Sequence, residues 1–537
     1  MKNIDSVPDI AELCKKITNC PYSIELRIKL ARAYQHTGYP DLAAGESYIA
    51  LLLIDEALGE TGEFEDEAYE AAVQYFQAEC GQEAQCLDQD AKGDDSSEDD
   101  ERNKSVIAWV SGPIKDSVYA SLAESLIECN NLKQASDYIK KISPAFAPTA
   151  SQLHESLSRA VKAHFGDENT SHAPEEYPEW GLVRREIYPW NEHEPDRSSQ
   201  DSLTSLNELL AAAAPSLEAR ITELPDLTRS VPGTGTIKQI GLFAKQDLPA
   251  GQQILREKSI LTATARLNDE YCDACAAKLR GRDDGSGPVS CPECYETVFC
   301  SNDCLQLSRN SYHPVLCGKD VTSLAKDAPA KDAANSLYAL LLLRTFALAE
   351  HLDLHPLDLV QTKYLWGDFV STKPSLPFNL YYNVILPLTM LEKMEINIFT
   401  ASSRFNTWTF NTLYAKFRGT ADAKQGPDGK PEIGAVHPLW CLANHSCDPN
   451  VRWEWNGEMG FWTRTKRERV KWRVGDEEVK EGLRKDEEVL GHYCDVELTA
   501  RERREWAKGA LGGDCMCERC VWETEHPELA RRVRIER

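Results

Sequence analysis

No stretch of this 537-residue chain approaches the roughly 20 consecutive apolar residues that span a bilayer. The best candidate, Leu337 to Leu352, is interrupted by Arg344 and Glu350, and the opening MKNIDSVPDI lacks the apolar core of a secretory signal. Both absences lead to the expectation of a nuclear or cytoplasmic protein with no membrane association. Basic residues are also scarce: 60 Lys and Arg stand against 86 Asp and Glu, a formal charge of -26. Broad, charge-driven binding to nucleic acid needs clustered cations to neutralise phosphates, so it is not expected, and a basic peptide is the more natural partner. What is present is enough apolar surface for several packed domains, with 42% hydrophobic residues including 12 Trp, 19 Tyr and 14 Phe.

Through about residue 220 the pattern is helical. Apolar residues return every three or four positions in Leu26, Leu30, Ala31 and Tyr34, then in Tyr48, Leu51, Leu52 and Ile54, and Gly38-Tyr39-Pro40 between them predicts a helical hairpin. Tyr119 to Ile142 predicts a second hairpin turning at Asn130-Asn131. The two copies are tetratricopeptide-like but too few to set a period, and an irregular helical domain fits equally well. Asp88 to Arg102 is an acidic segment without large apolar residues and reads as a disordered loop. Trp180 and Trp190 sit among prolines and read as aromatic pins for a surface loop. From Ile237 the texture alternates apolar and polar around Pro249-Ala250-Gly251, which predicts a β-hairpin.

Eighteen cysteines in a reducing compartment point to metal sites rather than disulfides wherever spacing is regular. Cys272-x2-Cys275-x15-Cys291-x2-Cys294-x5-Cys300-x3-Cys304-x8-His313-x3-Cys317 supplies ligands for two four-coordinate zinc ions. The order resembles a MYND zinc finger. That resemblance implies cross-bracing, with Cys272, Cys275, Cys300 and Cys304 on one zinc and Cys291, Cys294, His313 and Cys317 on the other. It also implies closed, structural sites and a possible role in docking proline-rich peptides.

Three further segments belong together: IGLFAKQDLPAGQQIL (Ile240 to Leu255), LANHSCDPNVRW (Leu442 to Trp453) and EEVLGHYCDVEL (Glu487 to Leu498). With the zinc module after the first and Cys515-x-Cys517-x2-Cys520 after the last, they resemble the split SET domain of the SET and MYND lysine methyltransferases, over roughly Val231 to Glu523. The resemblance implies S-adenosylmethionine as cofactor and a protein or histone lysine as substrate. It places Gly241 where backbone approaches the cofactor, Leu242 and Phe243 as pocket walls, Asn444 and His445 as cofactor contacts, and Tyr493 as the active-site tyrosine. Cys447 becomes the fourth ligand of a third zinc with Cys515, Cys517 and Cys520. Asn397, in EINIFTASS, resembles a cofactor-contacting Asn of the family, and a helix-terminal Asn is an equal reading. Gln239 stands where the family has the first glycine of Gly-x-Gly, which allows a second reading as a non-catalytic adaptor. Cys441 and Cys494 have no regular partner and read as ordinary buried thiols.

The expected architecture is α+β: a helical domain over 1–220, SET parts at 231–265 and 435–498, the MYND-type finger at 271–318, a helical insertion at 333–417, and a zinc-bound tail at 499–523.

Overall fold

A computed structural model describes residues 7–60, 62–80, 103–166, 172–227, 235–267, 270–279, 287–369, 374–473 and 481–535. The acidic 88–102 segment lies outside them. The chain divides into two compact units, Met1–Asn191 with Thr372–Asn411, and Glu192–Ser371 with Thr412–Arg537. The segment 372–411, expected within a 333–417 insertion, thus belongs to the first unit.

The first unit is mainly helical. Helices Ile24–Thr37 and Pro40–Ala57 form the first hairpin. Gly38 supplies the left-handed turn at φ 82°, and Pro40 opens the next helix, where its missing N–H has no partner to lose. Arg27 and Glu46 close this pair at 3.0 Å with both side chains buried. Helices Lys115–Glu128 and Leu132–Ile139 form the second hairpin, with Asn130 at φ 60° between them. Trp180 stacks on Tyr382 at 5.3 Å, and Trp190 packs against Tyr34 and Tyr39 at 5.3 and 5.2 Å, so both tryptophans pin their segment as expected.

The second unit holds the β-structure. Strand Thr236–Ala244 pairs antiparallel with Leu217–Pro225, with Gly241 opposite Arg220. The predicted hairpin across Pro249-Ala250-Gly251 does not form. Gly251 does turn the chain, at φ 78°, but strand Gln253–Glu257 pairs with Met459–Thr463, which pairs in turn with Val451–Trp455. The connecting loop is drawn aside because Leu248 exchanges both backbone hydrogen bonds with Leu483, at 2.8 and 2.9 Å. A short strand, Asn444–His445, runs parallel to Leu490–Gly491. Ile240, Leu242, Ala244, Leu255, Val451, Phe461 and Val489 share one apolar core behind these strands.

Helix Ala333–Leu352 is buried along most of its length, and Arg344 within it is not a flaw. Its guanidinium lies 3.5 Å from the Tyr312 ring centroid and reaches the Asp273 carboxylate at 3.2 Å. Tyr312 donates to the same carboxylate at 2.7 Å. Burial, the largest single influence, raises the Asp273 carboxyl, but Arg344, the Tyr312 hydrogen bond and the Lys326 charge together hold the group below the usual range. The helix is thereby tied to the cysteine-rich segment.

Candidate active site and metal centres

The cysteine-rich segment 272–317 is built from a small hairpin, Val289–Ser290 with Val298–Phe299, and helix Asn302–Arg309. Ser301 caps that helix by accepting from the Cys304 N–H at 3.3 Å, which sets Cys304 on its first turn. The fold brings together Cys272, Cys275, Cys300 and Cys304 in one group, and Cys291, Cys294, His313 and Cys317 in another. A third group joins Cys447 to Cys515, Cys517 and Cys520. Ligands at about 2.3 Å from a tetrahedral zinc lie about 3.8 Å from one another. Most separations fit: Cys275 to Cys300 is 3.7 Å, Cys300 to Cys304 is 3.6 Å, Cys294 Sγ to His313 Nε2 is 3.7 Å and Cys447 to Cys515 is 4.0 Å, while Cys447 to Cys520 is closer, at 3.3 Å. Each group could hold a zinc ion, in the partition expected from the sequence.

The NHSCDPN segment meets the 487–493 segment through a dense set of polar contacts. Asn450 accepts from the Leu490 N–H at 2.8 Å and donates to the Glu488 carbonyl at 2.8 Å. Ser446 N donates to the Gly491 carbonyl at 2.9 Å. Asn444 donates to the Ile240 carbonyl at 3.2 Å and to Glu488 Oε1 at 2.7 Å. Gly241 sits where these chains cross. A Cβ there would lie 2.5 Å from Glu488 Oε1 and 3.1 Å from Asn444 Nδ2, so only glycine lets the two polar groups approach the strand. Glu488 otherwise accepts from Thr222 at 3.4 Å, and burial raises its pKa against the pull of both hydrogen bonds.

Tyr493 is reached from the same crossing. Its hydroxyl donates to the Ala443 carbonyl at 2.9 Å, and its N–H donates to His445 Nδ1 at 3.0 Å. Burial pushes the phenol well above the usual tyrosine range, so it stays a neutral donor at physiological pH. Because His445 Nδ1 accepts, the neutral ring carries its proton on Nε2, which faces Cys447 Sγ at 3.3 Å. His445 therefore bridges the tyrosine backbone and a cysteine of the third ligand group. With a metal on the third group, this contact would orient Cys447 from outside the ligand set.

Other expected positions fall differently. The Leu242 side chain is fully buried in the apolar core, so it is spent on packing. Phe243 is half-buried beneath the Arg220 guanidinium, 5.2 Å from its ring centroid. Asn397 lies in the first unit, where its side-chain Oδ1 accepts from the Phe399 and Thr400 N–H groups at 3.0 and 3.2 Å and its Nδ2 donates to the Tyr22 hydroxyl at 2.9 Å. The carboxamide of Gln239 accepts from Arg197 at 3.4 Å. Cys441, half-buried rather than buried, donates to the Pro438 carbonyl at 3.3 Å, and its surroundings push its thiol up to about 12. Cys494 departs from the reading as an ordinary thiol: with His445 and Cys447 it forms a group whose ligand atoms lie within 4.8 Å.

One cluster has no counterpart in the sequence motifs. His193, His355 and Asp358 converge, with His193 Nδ1 2.8 Å from Asp358 and the two imidazoles stacked at 3.6 Å and 3°. The in-plane lone pairs of stacked parallel rings lie in separate parallel planes, so one metal cannot sit in the plane of both histidines in this arrangement. The trio braces the 355–363 loop, whose carbonyls at Thr362 and Lys363 each accept from buried Lys416 at 3.1 Å.

Residues 239–471 match the family model of the SET domain, and this part of the chain is accordingly a SET domain. The matched span contains Gly241, Asn444, His445, Cys447 and the whole 272–317 segment, and it ends before Tyr493 and the tail cysteines. A search among curated proteins gave no match.

Proposed function

We propose that this chain is an S-adenosylmethionine-dependent protein-lysine N-methyltransferase, working on histone or other protein substrates in the nucleus or cytoplasm. The observation that carries the reading is the meeting of Gly241, Asn444 and Glu488 at one strand crossing, with Tyr493 held at the adjoining end by Ala443 and His445. SET domains as a class methylate lysines, and this polar cradle suits the ligand. Glu488 has no cationic partner among the described residues, so an ammonium such as that of the donor's methionine end complements it. When bound, the donor supplies a methyl group on a sulfonium, which a neutral amine displaces in line. Tyr493 would orient that amine through its hydroxyl, beside the Ala443 carbonyl that favours developing positive charge. The lysine must first lose its proton, since its ordinary pKa is about 10.4.

In this reading the 272–317 segment is a MYND-type finger with two structural zincs, available to proline-rich peptides, and the 515–520 cysteines with Cys447 form a post-SET zinc site. The first unit would serve partner binding. A second reading, a non-catalytic adaptor, draws on Gln239 in place of glycine. The orientation of its carboxamide toward Arg197 favours the enzyme, because donor recognition at that strand uses backbone atoms.

The deciding experiment is calorimetric titration of zinc-loaded protein with S-adenosylmethionine, alongside Gln239→Gly. Micromolar binding by the natural chain is expected, followed by transfer of labelled methyl to lysine peptides. No binding by the natural chain, restored by the glycine, would replace the enzyme with the adaptor.

A further inference from the structure

Cys494 follows Tyr493 directly and is buried at 4% exposure. Its Sγ and the ligand atoms of His445 and Cys447 lie within 4.8 Å of one another, so Cys447 belongs to two overlapping groups. A tetrahedral zinc on Cys447, Cys515, Cys517 and Cys520 is complete without Cys494, which leaves a fifth thiol beside a filled coordination shell. The approach is set by backbone rather than by one rotamer. Asn444 pairs with Leu490 and His445 with Gly491, and Ser446 N donates to the Gly491 carbonyl at 2.9 Å, which brings residue 447 alongside the 492–494 turn.

We propose that Cys447 and Cys494 are an oxidation-sensitive pair that closes to a disulfide on exposure to a hydroperoxide, releasing the tail zinc. The zinc-bound thiolate of Cys447 attacks one peroxide oxygen; the O–O bond breaks, giving a sulfenic acid and, from hydrogen peroxide, hydroxide. The Cys494 thiol then displaces the sulfenic oxygen as water, and the S–S bond forms. Each sulfur is oxidised by one electron and the peroxide is reduced by two. Zinc, left with three cysteine ligands, dissociates. Cys494 is the resolving partner because the other neighbouring thiols are engaged by the metal. The same event removes the sulfur toward which His445 directs Nε2, and His445 holds the Tyr493 N–H at 3.0 Å. Oxidation would therefore disturb the tyrosine through the residue next to it and through the imidazole behind it. The proposal rests on the zinc reading of the tail group and is independent of whether the chain transfers methyl groups.

The test uses the full-length, zinc-loaded protein and hydrogen peroxide, with zinc release followed by a chelating dye and disulfides mapped by mass spectrometry of unreduced peptides. A peptide linking 447 to 494 should appear in step with loss of one zinc per chain, and dithiothreitol with added zinc should reverse both. Cys494→Ser, with Cys494→Ala as a second small replacement, should retain the zinc before treatment and release it at least fivefold more slowly. Equal release rates in the variants, or linkage of 447 only to the tail cysteines, would overturn the proposal. Untreated protein with no zinc on the tail group would overturn the metal reading and this inference with it.

Discussion

At the scale of single residues, the expected consequences divide between chemistry, ligand access and stability. Tyr493→Phe removes the hydroxyl that donates to the Ala443 carbonyl while leaving the backbone contact to His445. Turnover should fall by about 100-fold or more with donor affinity nearly unchanged, the pattern of a group that acts in the transition state. Single-turnover methyl transfer beside calorimetric binding separates the two, and unaltered turnover would remove Tyr493 from the mechanism. Gly241→Ala would put a methyl group 2.5 Å from Glu488 Oε1. The carboxylate or the strand must shift, at about 1–3 kcal/mol, so both the melting temperature and donor affinity should drop. His437 makes one contribution to acid stability, opposed by the buried carboxyls Glu257 and Asp41, whose pKa values burial raises to about 7 and about 6. The imidazole is fully buried, with Nδ1 2.7 Å from the Ser259 hydroxyl, and burial together with the Lys424 charge lowers its pKa to about 3. The unfolded chain takes up a proton below about pH 6.5 that the folded state refuses, so this contribution is full above that pH and is lost as pH falls towards 3. At pH 5 the loss is about 2 kcal/mol. Urea denaturation of the natural chain and of His437→Gln at pH 7.5 and 5 isolates it: on going to pH 5 the natural chain should lose about 2 kcal/mol more than the variant.

At the scale of elements, the tail and the 444–447 and 490–493 segments are joined in one cluster. The third cysteine group draws 515–520 onto Cys447, two residues beyond the His445 that holds Tyr493. His445→Ala should weaken the tail zinc by roughly tenfold or more, as loss of an outer-shell partner does, and competition with a chelating dye measures it. Removing the metal from the tail should lower donor affinity along with thermal stability; an unchanged affinity would mean that the tail is only a brace. The ligand pairs were legible in the sequence because Cys-x2-Cys spacing is local, and neighbours two or three apart can share a tetrahedron whatever surrounds them. Strand positions were legible from alternation in the same way. Strand partners were not. Gln253–Glu257 found its neighbour about two hundred residues on, because Leu248 and Leu483 claim each other and draw the loop aside. Strand Leu217–Pro225 was hidden behind an alanine-rich helix end and an expectation of helix to residue 220.

At the scale of the whole molecule, two features should be measurable. Three four-ligand groups call for three zinc ions per chain, which metal analysis of dialysed protein counts directly. The formal charge of -26 should favour basic substrates. The kcat/KM for a lysine-rich peptide is expected to fall as ionic strength rises from about 0.05 to 0.3 M, since exposed charges are screened over about 10 Å at 0.1 M. A salt-independent rate would place recognition in local contacts instead. No helix among the described residues is long and apolar enough to cross a membrane.

What the sequence by itself determined is the set of candidate site groups: the three cysteine groups, the Asn444-His445 pair, Tyr493 and the glycine at 241. The close cysteine pairs follow from spacing, and the remaining positions from the resemblance of their segments to a known family; both can be read without knowledge of the fold. What only the tertiary structure decided is company. It set Cys494 beside Cys447, Glu488 beside Gly241, Arg344 against Asp273, and Asn397 in the first unit against Tyr22. Each of these depends on which distant segment covers a surface, and that is settled by burial and by the pairing of backbone groups across the whole chain rather than by any local pattern.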